Sequence, residues 1–436
     1  MSSIVDNVKK AGVIGAGGAG FPTHVKINAK AEYVIGNGAE CEPLLRVDQQ
    51  LMALHADKVI AGLKYVMEAT GAKYGVIALK DHYHDAIDAL KGQIKGEKHI
   101  RLHIMRSYYP AGDEQQIVYE VTGKVVPTGG LPLDVGAVIS NVNTLLNIAE
   151  AQKGNPVTEK YVTVGGAVKT PITLKVPVGI SARELVAAAG GVTEEDVVYI
   201  LGGPCMGRVA ADIDIPVTKT TGGILAIPAD HPLLAKKSGE MNLQLIKSVC
   251  CQCSMCTQMC PRNSLGLHVE PHKAMRSVAQ GVGLIEDVNG DFSCCDCGIC
   301  TYYACNFGLK PSAVMSQLKK ELTSAGVKAK KEVYGPVDSA LGTKRLPVSR
   351  MIARLGVGKY DVAAPLREDV FITKEVKIPL KMHIGAPSVP TVKEGLRVKK
   401  GDLIADIPEK ALGAGVHASI DGTVAEVTDR FIRISA

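Results

Sequence analysis

Tryptophan is absent from this 436-residue chain, and aromatic residues make up only 4% of it. Beside 46 glycines, that scarcity favours tight turns and close approach of backbone to ligand over a large aromatic core. No stretch approaches the roughly 20 apolar residues of a membrane-spanning helix. The opening Met1-Ser2-Ser3-Ile4-Val5-Asp6 has neither the basic start nor the apolar stretch of a secretory signal. No nucleic-acid-binding motif accompanies the mild net charge of +6, so no nucleic-acid partner is expected. The charge is partly local: Lys319, Lys320, Lys328, Lys330, Lys331, Lys344, Arg345, Arg350 and Arg354 follow one another, as on a solvated helix face or linker. What remains is an ordinary globular balance, 46% hydrophobic and 22% charged, with length for three or four domains. A cytoplasmic protein is expected.

Cysteine breaks this evenness. Ten of the twelve cysteines fall in the 56 residues from Cys250 to Cys305. The first run reads Cys250-x2-Cys253-x2-Cys256-x3-Cys260-Pro261 and the second Cys294-x2-Cys297-x2-Cys300-x4-Cys305. One Cys-x2-Cys pair would favour zinc. Two triple runs, each with a trailing cysteine, go beyond one tetrahedral site. They match the bacterial ferredoxin pattern, in which the trailing cysteine serves the other cluster. Crossed ligation then predicts one [4Fe–4S] cluster on Cys250, Cys253, Cys256 and Cys305, and another on Cys294, Cys297, Cys300 and Cys260. The second run departs from the pattern: four residues precede Cys305, and Asn306 stands where proline is usual. Cys251 and Cys295 fall outside the two-residue gaps and are read as non-ligands. Thiols crowded in this way also fit a reducing compartment.

The N-terminus carries Gly15-Ala-Gly17-Gly18-Ala19-Gly20-Phe21-Pro22-Thr23, then Lys26. It spells G-x-G-x-x-G, but Pro22 interrupts the long helix that a dinucleotide fingerprint should open. The free N–H groups of such a loop still suit a phosphate. Beyond it strand and helix alternate, with strands at 33–37, 74–79 and 101–105 and helices at 44–69, broken or whole, and 86–94. This argues a layered α/β domain with a largely parallel sheet. Three further motifs follow strands, where ligands bind in such sheets: Asn37-Gly38-Ala39-Glu40-Cys41-Glu42-Pro43, Tyr108-Tyr109-Pro110-Ala111-Gly112-Asp113-Glu114, and Ser140-Asn141-Val142-Asn143-Thr144.

Together these four segments resemble the flavin- and NADH-binding subunit of respiratory complex I. They are closer still to the RnfC/PduS family, which joins a subunit of ion-translocating electron-transport complexes with cobalamin reductases. The resemblance implies that Gly15, Gly17, Gly18, Gly20 and Lys26 hold the FMN phosphate. Asn37, Glu40, Tyr109, Gly112, Asp113, Asn141 and Thr144 would line the flavin. Phe21, Lys26, Glu42 and Glu114 would meet NADH, with Lys26, Glu42 and Glu114 as the catalytic set. Ala16 and Ala39 replace an arginine and an aspartate of the complex I protein.

Strand, helix and strand between Tyr161 and Leu201, with Ser181-x-x-Glu184 read as a capping box, resemble the family's SLBB-type β-grasp module. Pro311 is read as opening a helix, and His268 and His272 as structural rather than metal-binding. The last residues resemble a barrel-sandwich hybrid, in which Lys410 sits near a lipoyl position but is read as a surface lysine. The expected fold is multidomain α/β: a Rossmann-like flavin/NADH domain over 1–155, the β-grasp module over 156–238, a two-cluster ferredoxin-like helical domain over 239–325, a basic linker over 326–370, and the hybrid domain over 371–436. RnfC carries its sandwich domain first; here it comes last, the PduS-type arrangement. That resemblance implies an NADH-dependent reductase of cobalamin within a bacterial microcompartment, with a corrinoid substrate, a corrinoid adenosyltransferase partner and shell proteins nearby. The alternative is an RnfC-like peripheral electron-transfer subunit of a membrane complex. No Asp-x-His-x2-Gly corrinoid motif occurs, so the corrinoid would be a visiting substrate.

Overall fold

The computed structural model describes residues 3–281 and 288–436. Met1 and Ser2, which head the segment read for a targeting signal, lie outside them. The first unit is built on a parallel sheet of β1 (Tyr33–Gly38), β2 (Tyr74–Lys80), β3 (Ile100–Met105) and β4 (Ala137–Asn141), in the order β3-β2-β1-β4. The run Val76-Ile77-Ala78-Leu79 is buried throughout, because helices cover both faces of a parallel sheet. Helices α1 (Ala56–Thr70) and α3 (Val142–Gln152) pack on Val34, Ile77 and Val138. Helix α2 (Glu114–Thr122) packs on Ile35, Val76, Ala78 and Ile139 on the other side. The long helix expected over 44–69 is two, Val47–Leu54 and α1, parted at His55. Gly71 stops α1 in the left-handed conformation.

In the β-grasp unit, β5 (Glu159–Gly166) pairs antiparallel with β6 (Ile172–Pro177) and parallel with β8 (Gly223–Pro228), which pairs antiparallel with β7 (Val197–Leu201). Helix α4 (Ala182–Ala188) adds Leu185 and Val186 to its core. Ser181 Oγ accepts from the Arg183 N–H at 3.2 Å, so the expected capping box is a one-way cap. In the cluster domain, helices α5 (Pro271–Gln280) and α6 (Pro311–Ser324) each begin at a proline, whose missing N–H costs nothing in a first turn. They close over Leu265, Leu267, Val269 and Met315. The C-terminal unit sets a four-stranded against a three-stranded sheet. Its core of Val376, Ile378, Ile404, Val424 and Ile432 takes in Ile14 from the glycine loop and Val178 from the β-grasp unit.

The segment 326–370, expected as a linker, is stitched into its neighbours. Glu332 bridges to Thr128, Leu346–Pro347 pairs with Tyr108–Tyr109, and Leu366–Arg367 extends the β-grasp sheet along β6. Its helix Val348–Leu355 turns Met351, Ile352 and Leu355 into that unit's core. Among the described residues, no helix is long and apolar enough to cross a membrane.

Candidate functional site

Strand order in the first sheet reverses between β1 and β4, and the crevice beyond the carboxyl ends of such a pair is where open α/β sheets bind ligands. Asn37 and Asn141 stand side by side there, in register. The glycine loop folds over the same end. Ile14 and Pro22 pair across it, and only a one-turn helix, Thr23–Lys26, follows, so no dinucleotide-type helix forms. The Ala16 N–H donates to Thr144 Oγ1 at 2.9 Å, tying the loop to the first turn of α3. A Cβ on Gly17 would lie 2.8 Å from Asn141 Nδ2, so only glycine lets the loop lie this close. Gly20 sits at φ +73°, and a Cβ there would lie 2.8 Å from the Met382 carbonyl oxygen; the hybrid domain thus backs the loop.

The remaining motif residues converge on the crevice. Asn37 Nδ2 donates to the Gly112 carbonyl at 2.9 Å, and its Oδ1 accepts from Ala39 N–H. Asn141 caps α3 through Asn143 N–H, and its Nδ2 donates to Asp48 Oδ2 at 2.7 Å. Glu40 Oε1 accepts from the Asp48 N–H, and the Lys80 ammonium donates to the Glu40 carbonyl. Lys26 donates to the Ile139 carbonyl at 2.7 Å. Burial depresses the Lys26 pKa and nearby Glu114 opposes that, so the structure brings these two expected catalytic residues together.

Three of the expected residues are already engaged elsewhere. Glu42 accepts from the N–H groups of Cys205 and Met206 at 2.8 and 2.6 Å, so its carboxylate seats a β-grasp turn. Asp113 grips Arg262 through two bonds of 2.6 and 2.7 Å. Tyr109, 1% exposed, donates its hydroxyl to the Cys297 carbonyl at 2.7 Å. The motif reading assigned these groups to flavin or nucleotide; in the fold, the polar ends of all three reach neighbouring domains.

Sequence reasoning missed a buried network below the loop. Lys160, on β5, donates to the Ala16 carbonyl at 2.9 Å, and burial lowers its pKa to about 8 against the pull of Asp48. Burial, with Glu40 adding, raises Asp48 to about 7. A lone lysine inside a largely apolar strand was the available signal, and it has no periodicity to give it away. Ser140 Oγ, Asn143 Nδ2 and Glu40 Oε2 are buried without a protein partner. Unpaired polar atoms in a crevice below a glycine loop fit the polar edge and phosphate of a flavin nucleotide.

Cys250, Cys260, Cys294 and Cys305 pack against one buried hydrophobic cluster, and Cys295 and Cys297 belong to another. Burial pushes the Cys256 thiol up to about 12, and its sulfur neighbours are Cys305, Cys250 and Cys253. Burial likewise raises Cys300, beside Cys294, Cys260 and Cys256. Cys297 is raised by a hydrogen bond with Cys295 and by burial, with Cys260 and Cys300 near. Among the described residues, no three His, Cys, Asp or Glu are arranged to hold a single metal ion. An all-thiol lining suits iron–sulfur chemistry, and a bound cluster's charge would favour ionising thiols that burial keeps protonated. His272 Nδ1 bonds Thr257 Oγ1 at 2.7 Å and His268 stacks on Tyr334, both structural uses. Lys410 is exposed on a turn.

Four domain families match this chain in order: the Nuo51 FMN-binding domain over residues 8–150, the SLBB domain over 161–209, the 4Fe-4S dicluster domain over 249–310, and the RnfC barrel sandwich hybrid domain over 363–435. Fold and cofactor domains together define a multidomain α/β electron-transfer oxidoreductase with FMN and paired [4Fe–4S] clusters. The chain is 43% identical over 436 residues to "Cobalamin reductase PduS" of Citrobacter freundii, covering 99% of this chain and 96% of that one. It is 43% identical to the protein of the same name from Salmonella typhimurium, at the same coverage. The chain belongs to the PduS cobalamin reductase family. It is also 37% identical over 276 residues to a component of the Na(+)-translocating ferredoxin:NAD(+) oxidoreductase complex of Acetobacterium woodii, covering 61% of this chain and 59% of that one.

Proposed function

We propose that the chain is an NADH-dependent reductase of cobalamin, taking cobalt from Co(III) through Co(II) towards Co(I) for adenosylation. The observation that carries this reading is the match along essentially the whole length to proteins named cobalamin reductase. FMN, when bound, converts a two-electron donor into single electrons that clusters can pass. Gly15, Gly17, Gly18, Gly20 and Lys26 would hold its phosphate, and Asn37, Glu40, Gly112, Asn141 and Thr144 its remaining edges. Phe21, Lys26 and Glu114 would face the nicotinamide, with Lys26 and Glu114 balancing charge there. Cys250, Cys253, Cys256 and Cys305 would hold one cluster, and Cys260, Cys294, Cys297 and Cys300 the other. The domain limits at residues 155, 238, 325 and 370 belong to the same reading. A corrinoid adenosyltransferase would receive the reduced cobalt, in the cytoplasm and within a bacterial microcompartment bounded by shell proteins.

A second reading, a peripheral member of an ion-translocating complex, draws on the 37% match to a component of such a complex. Anaerobic titration with NADH, followed by aquacobalamin, separates the two. Bleaching of flavin and clusters with catalytic formation of the Co(II) spectrum supports the reductase. Bleaching that stalls at the clusters favours the peripheral role. Absence of bleaching removes NADH as the donor.

A further inference from the structure

Two clusters in one chain leave open which takes electrons from the flavin. Among the described residues, the hydrogen bonds that the segment 109–116 makes to the cluster domain land beside Cys260 and Cys297. Tyr109 donates to the Cys297 carbonyl at 2.7 Å. Gln116 Nε2 donates to the Pro261 carbonyl at 2.7 Å, next to Cys260. Asp113 holds Arg262, two residues past Cys260, and Arg262 donates in turn to the Ser293 carbonyl beside Cys294. Side-chain exposures of 8% and 7% for Arg262 and Asp113 make this a dry contact. Cys297 is buried, whereas Cys253 is exposed. Leu243, Leu245, Met255 and Phe307 are exposed around the outer group.

From this placement, and resting on the flavin assignment proposed above, we infer that the cluster on Cys260, Cys294, Cys297 and Cys300 is the one that accepts from the flavin. The cluster on Cys250, Cys253, Cys256 and Cys305 is the exit to the acceptor. Tyr109 and the Arg262–Asp113 pair are positioning residues that set the first transfer. Each NADH gives NAD⁺, a proton to solvent and two electrons. With clusters held by Cys260, Cys294, Cys297 and Cys300 and by Cys250, Cys253, Cys256 and Cys305, the two electrons would leave singly to two one-electron acceptors.

The test uses full-length protein loaded with FMN and iron, its flavin photoreduced under EDTA so that NADH is not needed, and follows each cluster by low-temperature EPR. In Cys253→Ser, the inner cluster should still be reduced at the unmodified rate while aquacobalamin reduction falls at least about tenfold. In Cys297→Ser, the outer cluster should be reduced by dithionite but at least about a hundredfold more slowly by photoreduced flavin. The reverse pattern overturns the order. Tyr109→Phe keeps all eight thiols and guards against loss of a cluster; it should slow flavin-to-cluster transfer about tenfold, the scale of one lost buried hydrogen bond, with both dithionite-reduced signals unchanged. Unchanged transfer in Tyr109→Phe would overturn its role. Adding NADH in the dark to unmodified protein tests the donor separately: failure there with the photoreduction order intact rejects the nucleotide, not the relay.

Discussion

In the first cysteine run Cys251 and Cys253 are exposed, and Gln252 beside them donates to Cys250 Sγ and to the His272 carbonyl, both within the cluster domain. In the second, Cys297 is buried, Lys319 donates to the Cys294 carbonyl, Tyr109 to that of Cys297, and Arg262 to that of Ser293. Spacing is nearly the same in both, so it can account for the kind of cofactor and not for the difference in setting. The setting comes from elements distant in sequence. A cluster held by the dry, bonded run would be shielded from solvent beside the segment 109–116, while one held by the open run would lie nearer the surface. Cluster potential follows charge, hydrogen bonds and exposure, so identical ligand runs need not be equivalent carriers.

The largest test of this contrast is Cys260→Ser. Cys260 belongs to the first run in sequence and, under crossed ligation, to the second site, so the variant should fall from about eight to about four irons while the outer cluster keeps its EPR signal. Loss of the outer signal instead would return Cys260 to its own run. Next comes Arg262→Ala, which strands the buried Asp113 carboxylate. Removing one member of a buried pair costs about 3–5 kcal/mol, read as a lower thermal midpoint. A double exchange, R262M with D113L, should recover most of it.

The opposite side of the flavin domain sharpens the comparison, because its contact has no carboxylate. Lys219 donates to the Gly12 and Gly415 carbonyls at 2.7 and 2.9 Å, and burial lowers its pKa from 10.5 to about 7. Burial and Lys219 also hold His383 near 4 and His417 near 3. Above pH 7 the unfolded chain binds a proton at Lys219 that the folded one does not, so stability rises from about pH 7 towards 10.5. The slope is at most about 1.4 kcal/mol per pH unit. The midpoint of K219M should climb less between pH 7 and 9, by a few degrees; equal slopes would place the pH dependence elsewhere. The smallest expected effect is in C251A and C295A, each of which should keep about eight irons by colorimetric assay. A fall to about four would make that residue a ligand.

Much of the site was legible because its chemistry is local. Eight thiols at fixed gaps, a glycine loop stopped by Pro22, and motifs placed after strands can be read without a fold. The layered α/β domain followed from alternation, whereas the switch point needed the strand order. What was hidden depends on long-range pairing: Lys160 under Ala16, Arg262 on Asp113, and Glu42 turned to the β-grasp turn all join residues more than a hundred positions apart. Arg262 directly after Cys260-Pro261 and Lys160 within an apolar strand carry no periodic signature. The stretch 326–370 reads as a linker by composition because its contacts are backbone pairings and a short amphipathic helix, neither of which needs an apolar run.

The hybrid domain is held by Ile14, by the backbone at Gly20 and, through Lys219, by Gly12, all near the start of the chain, although its own residues come last. Together with Val178 and Glu159 of the β-grasp unit, these form a seat that precedes the module in sequence and could receive it from either end of the chain. Gene rearrangement can therefore move such a module from one end of the reading frame to the other and leave the assembled molecule nearly the same.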